Sequence, residues 1–397
     1  MPVRSTSSIL WSQVLGVAFV QGAISLCWVI YSLYIPALLV SAGLDERMAV
    51  GLVTIESFLA AGIEPVMGSL SDRWQVWLGT KMPLIAAGAI ASAGLFILLP
   101  ISVALGAENA GTWLVGLAVA WAIAMAVFRT PVVSLLGNLA CGTGLAPAAS
   151  ILTLVGGLVS AARFLATKTI LGMGSPVAFG IGSGVLIASV LLLRSLMAKR
   201  PSVISDSIGR LSPIPWIRVC FLLIVGTAMG WGLRCTVAEL LPRLLAFYAP
   251  DQLDWGMAGA FMAMALFGVV SAQILAILSH PQRYHGASAG GLILVVVSIW
   301  LFSLNLSFVL ALPVAIALTA GLGVAVNTLL PMCLEFLPTG KGGLALGCYF
   351  GGIGLANALY SLLLQATISS FTLVDIASMC QVAFVFTGIA VAVARRY

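Results

Sequence analysis

The sequence predicts an all-α membrane protein of twelve transmembrane helices in two six-helix pseudo-repeats. Three observations carry that prediction. Hydrophobic residues make up 61% of the 397-residue chain and charged residues only 8%, whereas a soluble domain usually carries about 25% charged residues. The apolar residues gather into stretches close to the ~20 helical residues that cross a ~30 Å hydrocarbon core. One polar segment, AKRPSVISDSIGRLSPIP at 198–215, divides the chain nearly in half. Mean hydropathy is +1.16, and a chain so poor in charge cannot present a water-facing surface of normal polarity.

The expected spans are 10–40, 48–69, 82–105, 112–137, 148–172, 177–197, 216–247, 254–278, 288–306, 308–331, 343–367 and 374–393. Helix is the default because backbone facing lipid must satisfy its own hydrogen bonds; the alternation of a membrane β-barrel is missing from the sequence. The first apolar run is far longer than a signal-peptide core and is expected to remain as the first span. Residues 1–197 then form an N-terminal bundle, 198–215 a central loop and 216–397 a C-terminal bundle. A faint echo supports two repeats: YSLYIPALL at 31–39 and VAELLPRLL at 237–245 place Pro36 and Pro242 alike in the first helix of each half. Such repeats are a known transporter architecture.

Basic residues set the orientation. With the N-terminus inside, one side holds Arg4, Arg73, Lys81, Lys199, Arg200, Arg210, Arg218, Arg283, Lys341, Arg395 and Arg396. The other holds Arg47 and Arg243 together with Asp45, Glu46, Glu108, Asp251 and Asp254. Both termini are therefore expected in the cytoplasm, with the chain in the plasma (inner) membrane. The net charge of +6 is scattered over the loops rather than gathered on a nucleic-acid-binding face. The seven cysteines lack metal-type spacing and read as small apolar residues. His280 and His285 sit in the stretch SHPQRYH, which contains no carboxylate or cysteine, and Gly340-Lys341-Gly342 lacks the rest of a phosphate-binding loop. No enzyme and no cofactor are expected.

The segment 68–81, GSLSDRWQVWLGTK, is expected as a charged loop after the second span. It resembles the loop between spans two and three of the major facilitator superfamily, G-x-L-x-D-R-x-G-R-(K/R): Gly68, Leu70, Asp72 and Arg73 match, the second glycine is displaced to Gly79, and the basic tail shrinks to Lys81. A longer reading, from Glu64-Pro65 through Ser71-Asp72-Arg73 to Gly79, Lys81, Pro83 and Gly88, is similar to the sucrose and glycoside–pentoside–hexuronide branch. Arg129-Thr130-Pro131 and residues 146–150 add to it. The resemblance covers about residues 31–90 and 126–160. It implies a twelve-helix carrier that rocks two bundles around a central site by alternating access, here as a proton-driven symporter of sugar-like solutes. It also implies that Asp72 braces a closed cytoplasmic gate against the start of the eleventh helix, near Gly342 and Gly343, where a carboxylate gains from the helix dipole.

Charges inside the spans are costly, at least ~2.5–3.5 kcal/mol on insertion scales, and normally face a cavity or a partner. At a rise of about 1.5 Å per residue, Glu64 and Arg129 reach similar depth near the inner ends of spans two and four. They form either a fixed pair or part of an inner gate with Gly68, Asp72 and Arg73. Glu56, Arg163 and Arg234, from three helices, share another layer and are the candidates for binding solute and protons. A carboxylate there can take up and release a proton; alternatively Glu56 pairs permanently with one of the arginines, and Glu239 neutralises Arg234. Two arginines against one glutamate favour an anion or a hydroxyl-rich solute over a cation. Gln21, Tyr31, Tyr34, Asn357 and Tyr360 are further lining candidates, and Trp28 and Trp231 can stack a sugar ring or serve an interfacial belt. The 42 glycines suit close helix packing.

The expected function is secondary active transport of a small polar solute, sugar-like or an organic anion, with protons as coupling ion, by a monomer in the lipid bilayer. The alternatives are a non-transporting assembly or pigment-delivery factor on the same fold, or a multidrug exporter.

Overall fold

A computed structural model describes residues 9–105, 109–140, 144–199, 215–277, 283–304, 306–365 and 367–394. Among the expectations above, Arg4, Glu108, Cys141, Arg200, Arg210, His280, Arg395, Arg396 and most of the segment 198–215 lie outside the described residues. The described residues contain no strand. They form twelve helices long and apolar enough to cross a membrane. In chain order these are α1 (Trp11–Ser41), α2 (Met48–Leu78), α3 (Met82–Ala104), α4 (Ala110–Leu139), α5 (Leu145–Gly172) and α6 (Ser175–Ala198). Then come α7 (Trp216–Tyr248), α8 (Pro250–Ile277), α9 (Tyr284–Phe302), α10 (Phe308–Phe336), α11 (Gly342–Leu363) and α12 (Leu373–Ala394). Their outward faces carry large apolar side chains, such as Leu191, Ile293, Val309, Val382 and Ile389. Water does not tolerate such a surface, and a bilayer requires it. The chain is an integral multi-pass membrane protein.

One expectation needs correction. The segment 68–81 is mostly helix: α2 continues to Leu78 and ends at Gly79, whose φ of 70° lies in the left-handed region. Residues 69–78 contain neither glycine nor proline, and Gly79 is the next residue that ends a helix readily. Asp72 and Arg73 thus project from a helix.

The packing repeats with an offset of six helices. α1 packs on α5 and α6, as α7 packs on α11 and α12; α3 packs on α4 and α6, as α9 packs on α10 and α12; α2 meets α4 as α8 meets α10. The two sets of six meet along α2–α11 and α5–α8, which exchange under the same offset.

Glycines make the α2–α11 approach possible. A Cβ at Gly343 would lie 2.6 Å from the Asp72 carboxylate, one at Gly347 would fall on the Glu64 carbonyl oxygen and 2.9 Å from Pro65 Cα, and one at Gly351 would lie 2.8 Å from the Ala61 oxygen. A Cβ at Gly68 would fall on the Gly343 carbonyl from the other side. Only backbone hydrogen fits between the helices along this seam. α7 is irregular: five residues, Thr236–Leu240, form a π-helical turn that ends two residues before Pro242. Such turns are rare and often mark functional sites.

Candidate solute-binding cavity and its closed end

A cavity of about 280 Å³ lies between α1, α2 and α4 on one side and α7 and α11 on the other. Trp28, Glu56, Glu64, Arg129, Arg234 and Asn357 supply its polar lining, with Ser57 and Ser361.

Glu56 is 4% exposed. The Tyr31 hydroxyl, one helix away, donates to its Oε1, while Oε2 has no partner. Tyr31 is held in place by an aromatic pile. Its ring stacks on Trp121 at 4.5 Å, Trp121 on Phe96 at 5.0 Å, and Trp28 leans on Trp121 at 4.8 Å. Offset stacks of this kind orient rings as well as bury them. Glu56 makes no ion pair with Arg163 or Arg234.

Arg234 lines the cavity, half-buried, with its guanidinium 5.1 Å from the Tyr360 ring. Glu239 does not neutralise it. The Tyr360 hydroxyl donates to Glu239 Oε1 at 2.5 Å, and Glu239 Oε2 pairs with Arg243 at 3.3 Å. Arg243 in turn donates to the carbonyls of Ile368 and Phe371 between α11 and α12. Glu239 is thus committed to the packing of α7, α11 and α12.

Glu64 and Arg129 do meet. Arg129 Nη2 donates to Glu64 Oε1 at 2.5 Å, Thr130 reaches Oε2 at 3.4 Å, and the guanidinium sits 5.0 Å from the Phe350 ring of α11. This pair floors the cavity where α2, α4 and α11 converge. Beyond it α2 and α11 close together. Asp72, 6% exposed, accepts the backbone N–H groups of Gly343 and Leu344, each at 2.9 Å, at the start of α11. It also accepts from Lys81 at 2.7 Å. Lys81 is 2% exposed and donates to Ser134 of α4. One carboxylate therefore caps a helix of the other half and neutralises a buried ammonium. Asp72→Asn keeps the shape but removes the charge. It is expected to lower stability by about 1–2 kcal/mol, read as a reduced melting temperature in detergent; an unchanged temperature would leave the contact without energetic weight.

The remaining candidates lie elsewhere. Arg73 is exposed and makes no ion pair among the described residues. Tyr34 is buried and donates to the Ile170 carbonyl at the end of α5. Gln21 is half-buried, does not line the cavity, and has an unpartnered Oε1. Tyr360 is buried behind Arg234. Arg163 is an exposed residue of α5 and does not line the cavity. Trp231 lies in a groove with Leu223, Met379 and Phe386 rather than at the cavity, whereas Trp28 lines it. The roles of Lys81, Ser134 and Thr130 were not foreseen from sequence. Position three after a helix proline, as for Ser134 after Pro131, is the only hint at the second of these.

No protein-family model matches the sequence, and no curated protein matches it. Solved structures do. The human organic anion transporter MFSD10 (TETRAN) is 14% identical, covering 98% of this chain and 99% of that one, with a TM-score of 0.65. A bacterial homologue of the iron transporter ferroportin, in an outward-facing state, is 16% identical over 98% and 100% of the two chains, with a TM-score of 0.66. FucP, a major facilitator superfamily transporter in the outward conformation, is 9% identical over 96% and 98%, with a TM-score of 0.71. The chain has the major facilitator fold. At these identities the likeness concerns fold alone.

Proposed function

We propose that this chain is a secondary active transporter of the major facilitator superfamily, moving a small polar solute by alternating access with protons as the coupling ion. The observation that carries the reading is a central cavity in which Glu56, Trp28 and Arg234 are not matched to one another, sealed at one end by contacts that can break. Glu56 Oε2, Trp28 Nε1 and Arg234 Nε have no partner. Buried polar groups normally find one, and a bound polar solute would supply it. A sealed structural core would instead have joined Glu56 to Arg234. The seal consists of one carboxylate on two N–H groups and a glycine seam, an interface that separates without unfolding either half. All three similar structures are transporters or homologues of one, and two are outward-facing.

The Lys and Arg distribution supports a cytoplasmic Asp72 end and cytoplasmic termini, with the cavity facing outward in the plasma membrane. Glu56 is the coupling residue in this reading, since it lines the cavity, has a free oxygen and is not held ionised by an arginine. At about 280 Å³ the cavity is near the lower end of small-molecule sites and fits a solute of monosaccharide or small organic-acid size.

The test is made in proteoliposomes with an imposed pH gradient, following lumenal pH while sugars, glycosides and organic acids are added. Solute-triggered proton movement is expected in wild type and not in Glu56→Gln. Movement surviving in Glu56→Gln would place coupling elsewhere, and uptake that ignores the gradient would remove the proton from the scheme. Silence toward the whole panel would favour a non-transporting protein on this fold.

A further inference from the structure

Resting on the reading of this cavity as the transport site, the groups on its wall narrow the solute to one chemistry. The titratable and charged groups that line it are Glu56 and Glu64 from α2, Arg129 from α4 and Arg234 from α7. Behind them stand Tyr31 of α1, against Glu56, and Tyr360 of α11, against Arg234. Glu64 and Arg129 pair and cancel. Glu239, the carboxylate nearest to Arg234 along α7, is turned to Tyr360 and Arg243. One cation and one carboxylate are left. Among the described residues Arg234 makes no hydrogen bond and no ion pair; its guanidinium lies 5.1 Å from the Tyr360 ring, and its Nε is buried without a partner. Glu56 keeps Oε2 unpartnered.

The unmatched groups are chiefly donors. A guanidinium and an indole N–H donate and never accept, and both Arg234 Nε and Trp28 Nε1 are without a partner. Tyr31 already occupies Glu56 Oε1, so a coupling proton on Glu56 sits on Oε2 and turns that oxygen into a donor too. In the protonated state the cavity holds one uncompensated positive charge at membrane depth, which is costly. A carboxylate on the solute removes it and matches the guanidinium fork. A neutral sugar leaves it standing. A phosphate ester, with about 1.5–2 negative charges at pH 7, exceeds what a single arginine balances. When the proton leaves, Glu56 itself supplies the negative charge, so anion and proton are held together and released together. Ser57, Ser361 and Asn357, on the same wall, remain for hydroxyl groups of the solute.

We propose that the solute is a hydroxylated monocarboxylate of up to sugar-acid size, its carboxylate held by Arg234 and its hydroxyl groups by Trp28, Ser57 and Asn357, bound together with a proton on Glu56. Trp28 and Ser57 belong to the N-terminal half, Arg234 and Asn357 to the C-terminal half, so one molecule bridges the two.

The test reads thermal stabilisation of the purified full chain in detergent, at constant ionic strength, at acidic and at mildly alkaline pH. The probes are lactate, glycerate, gluconate and glucuronate, with glycerol, glucose and glucose 6-phosphate beside them. Wild type is compared with Arg234→Gln, Arg234→Lys and Glu56→Gln. At least one of the four acids is expected to stabilise wild type saturably, more weakly as pH rises, while glycerol, glucose and the phosphate ester do not. Arg234→Gln should weaken that binding about tenfold or more, and Arg234→Lys should recover part of it, as a point charge without the fork. Glu56→Gln should still bind the acid and lose the pH dependence. The ligand-free melting temperature of each protein controls for folding, and the Lys protein and the wild-type pH comparison stand even where Arg234→Gln fails to fold. Silence toward all four acids overturns the proposal, as does acid binding that survives Arg234→Gln or a preference for the phosphate ester. Loss of acid binding in Glu56→Gln also overturns it, since Glu56 would then hold the solute itself. Flux in proteoliposomes separates this from the transport reading. Proton-coupled uptake of glucose would sink the monocarboxylate and keep the carrier; acid binding as expected without any flux would keep the site and sink the carrier.

Discussion

Arg129→Met should destabilise the protein by about 3 kcal/mol, and adding Glu64→Gln should restore most of that loss. Glu64 is 1% exposed and its strongest partner is Arg129 at 2.5 Å. Removing the cation leaves a carboxylate between helices with only the long Thr130 contact, and an uncompensated buried charge typically costs about 3–5 kcal/mol. The low end applies because the Arg129 side chain is 27% exposed to the cavity, so water already screens the pair. In the double variant, the neutral amide introduced by Glu64→Gln removes the stranded charge and keeps a group that Thr130 can bond. Melting temperatures or denaturant titrations of the four proteins in one detergent close the cycle. If the singles and the double lose stability additively, the ion pair carries no coupling energy and the floor of the cavity is held by packing alone. The cycle also reports on transport. A pair that only braces α2 against α4 affects stability and leaves the solute dependence of flux unchanged. A pair that belongs to the inner gate changes the rate of turnover in the double variant even where stability has been regained.

Much of this geometry is legible from the amino acids, and the pattern of what is not has a physical reason. Hydropathy specifies twelve helices because lipid leaves the backbone no alternative. Depth along a helix is equally legible: a fixed rise per residue brings Glu64 and Arg129 to the same level, and they meet. Azimuth is not legible. Glu56, Arg163 and Arg234 share a layer by depth, yet Glu56 turns to Tyr31, whose position depends on the packing of Trp121 and Phe96 behind it. Periodicity along single, nearly uniform apolar helices says little about such packing. Local polarity also misleads at 68–81. Charged residues there suggest a solvated loop, but the helix continues to Leu78, and Lys81, which reads as the remnant of a basic loop, is buried against Asp72 and Ser134. Solvation and helix ends are different properties, and only Gly79 signals the latter.

Gly347→Leu should prevent the closed end of the cavity from forming while leaving each half folded. In the conformation described here, a Cβ at position 347 would overlap the Glu64 carbonyl and stand 2.9 Å from Pro65 Cα. These are backbone atoms of a helix and cannot rotate away, so the larger side chain fits only if α2 and α11 part. A carrier has a second conformation in which this seam is open. A penalty of about 5.5 kcal/mol against the first is enough to move a two-state population from 99:1 to 1:99. The measurement is labelling of Ser71→Cys, in a background without native cysteines, by a membrane-impermeant maleimide applied from the Asp72 side. Ser71 is fully buried in the seam, so labelling should rise about tenfold or more in the Gly347→Leu protein, with its melting temperature little changed and its flux lost. A protein with a single rigid arrangement has no second conformation to occupy. In that case Gly347→Leu would either misfold or repack with Ser71→Cys still protected, and alternating access would have to be abandoned for this chain even though its fold is that of a carrier.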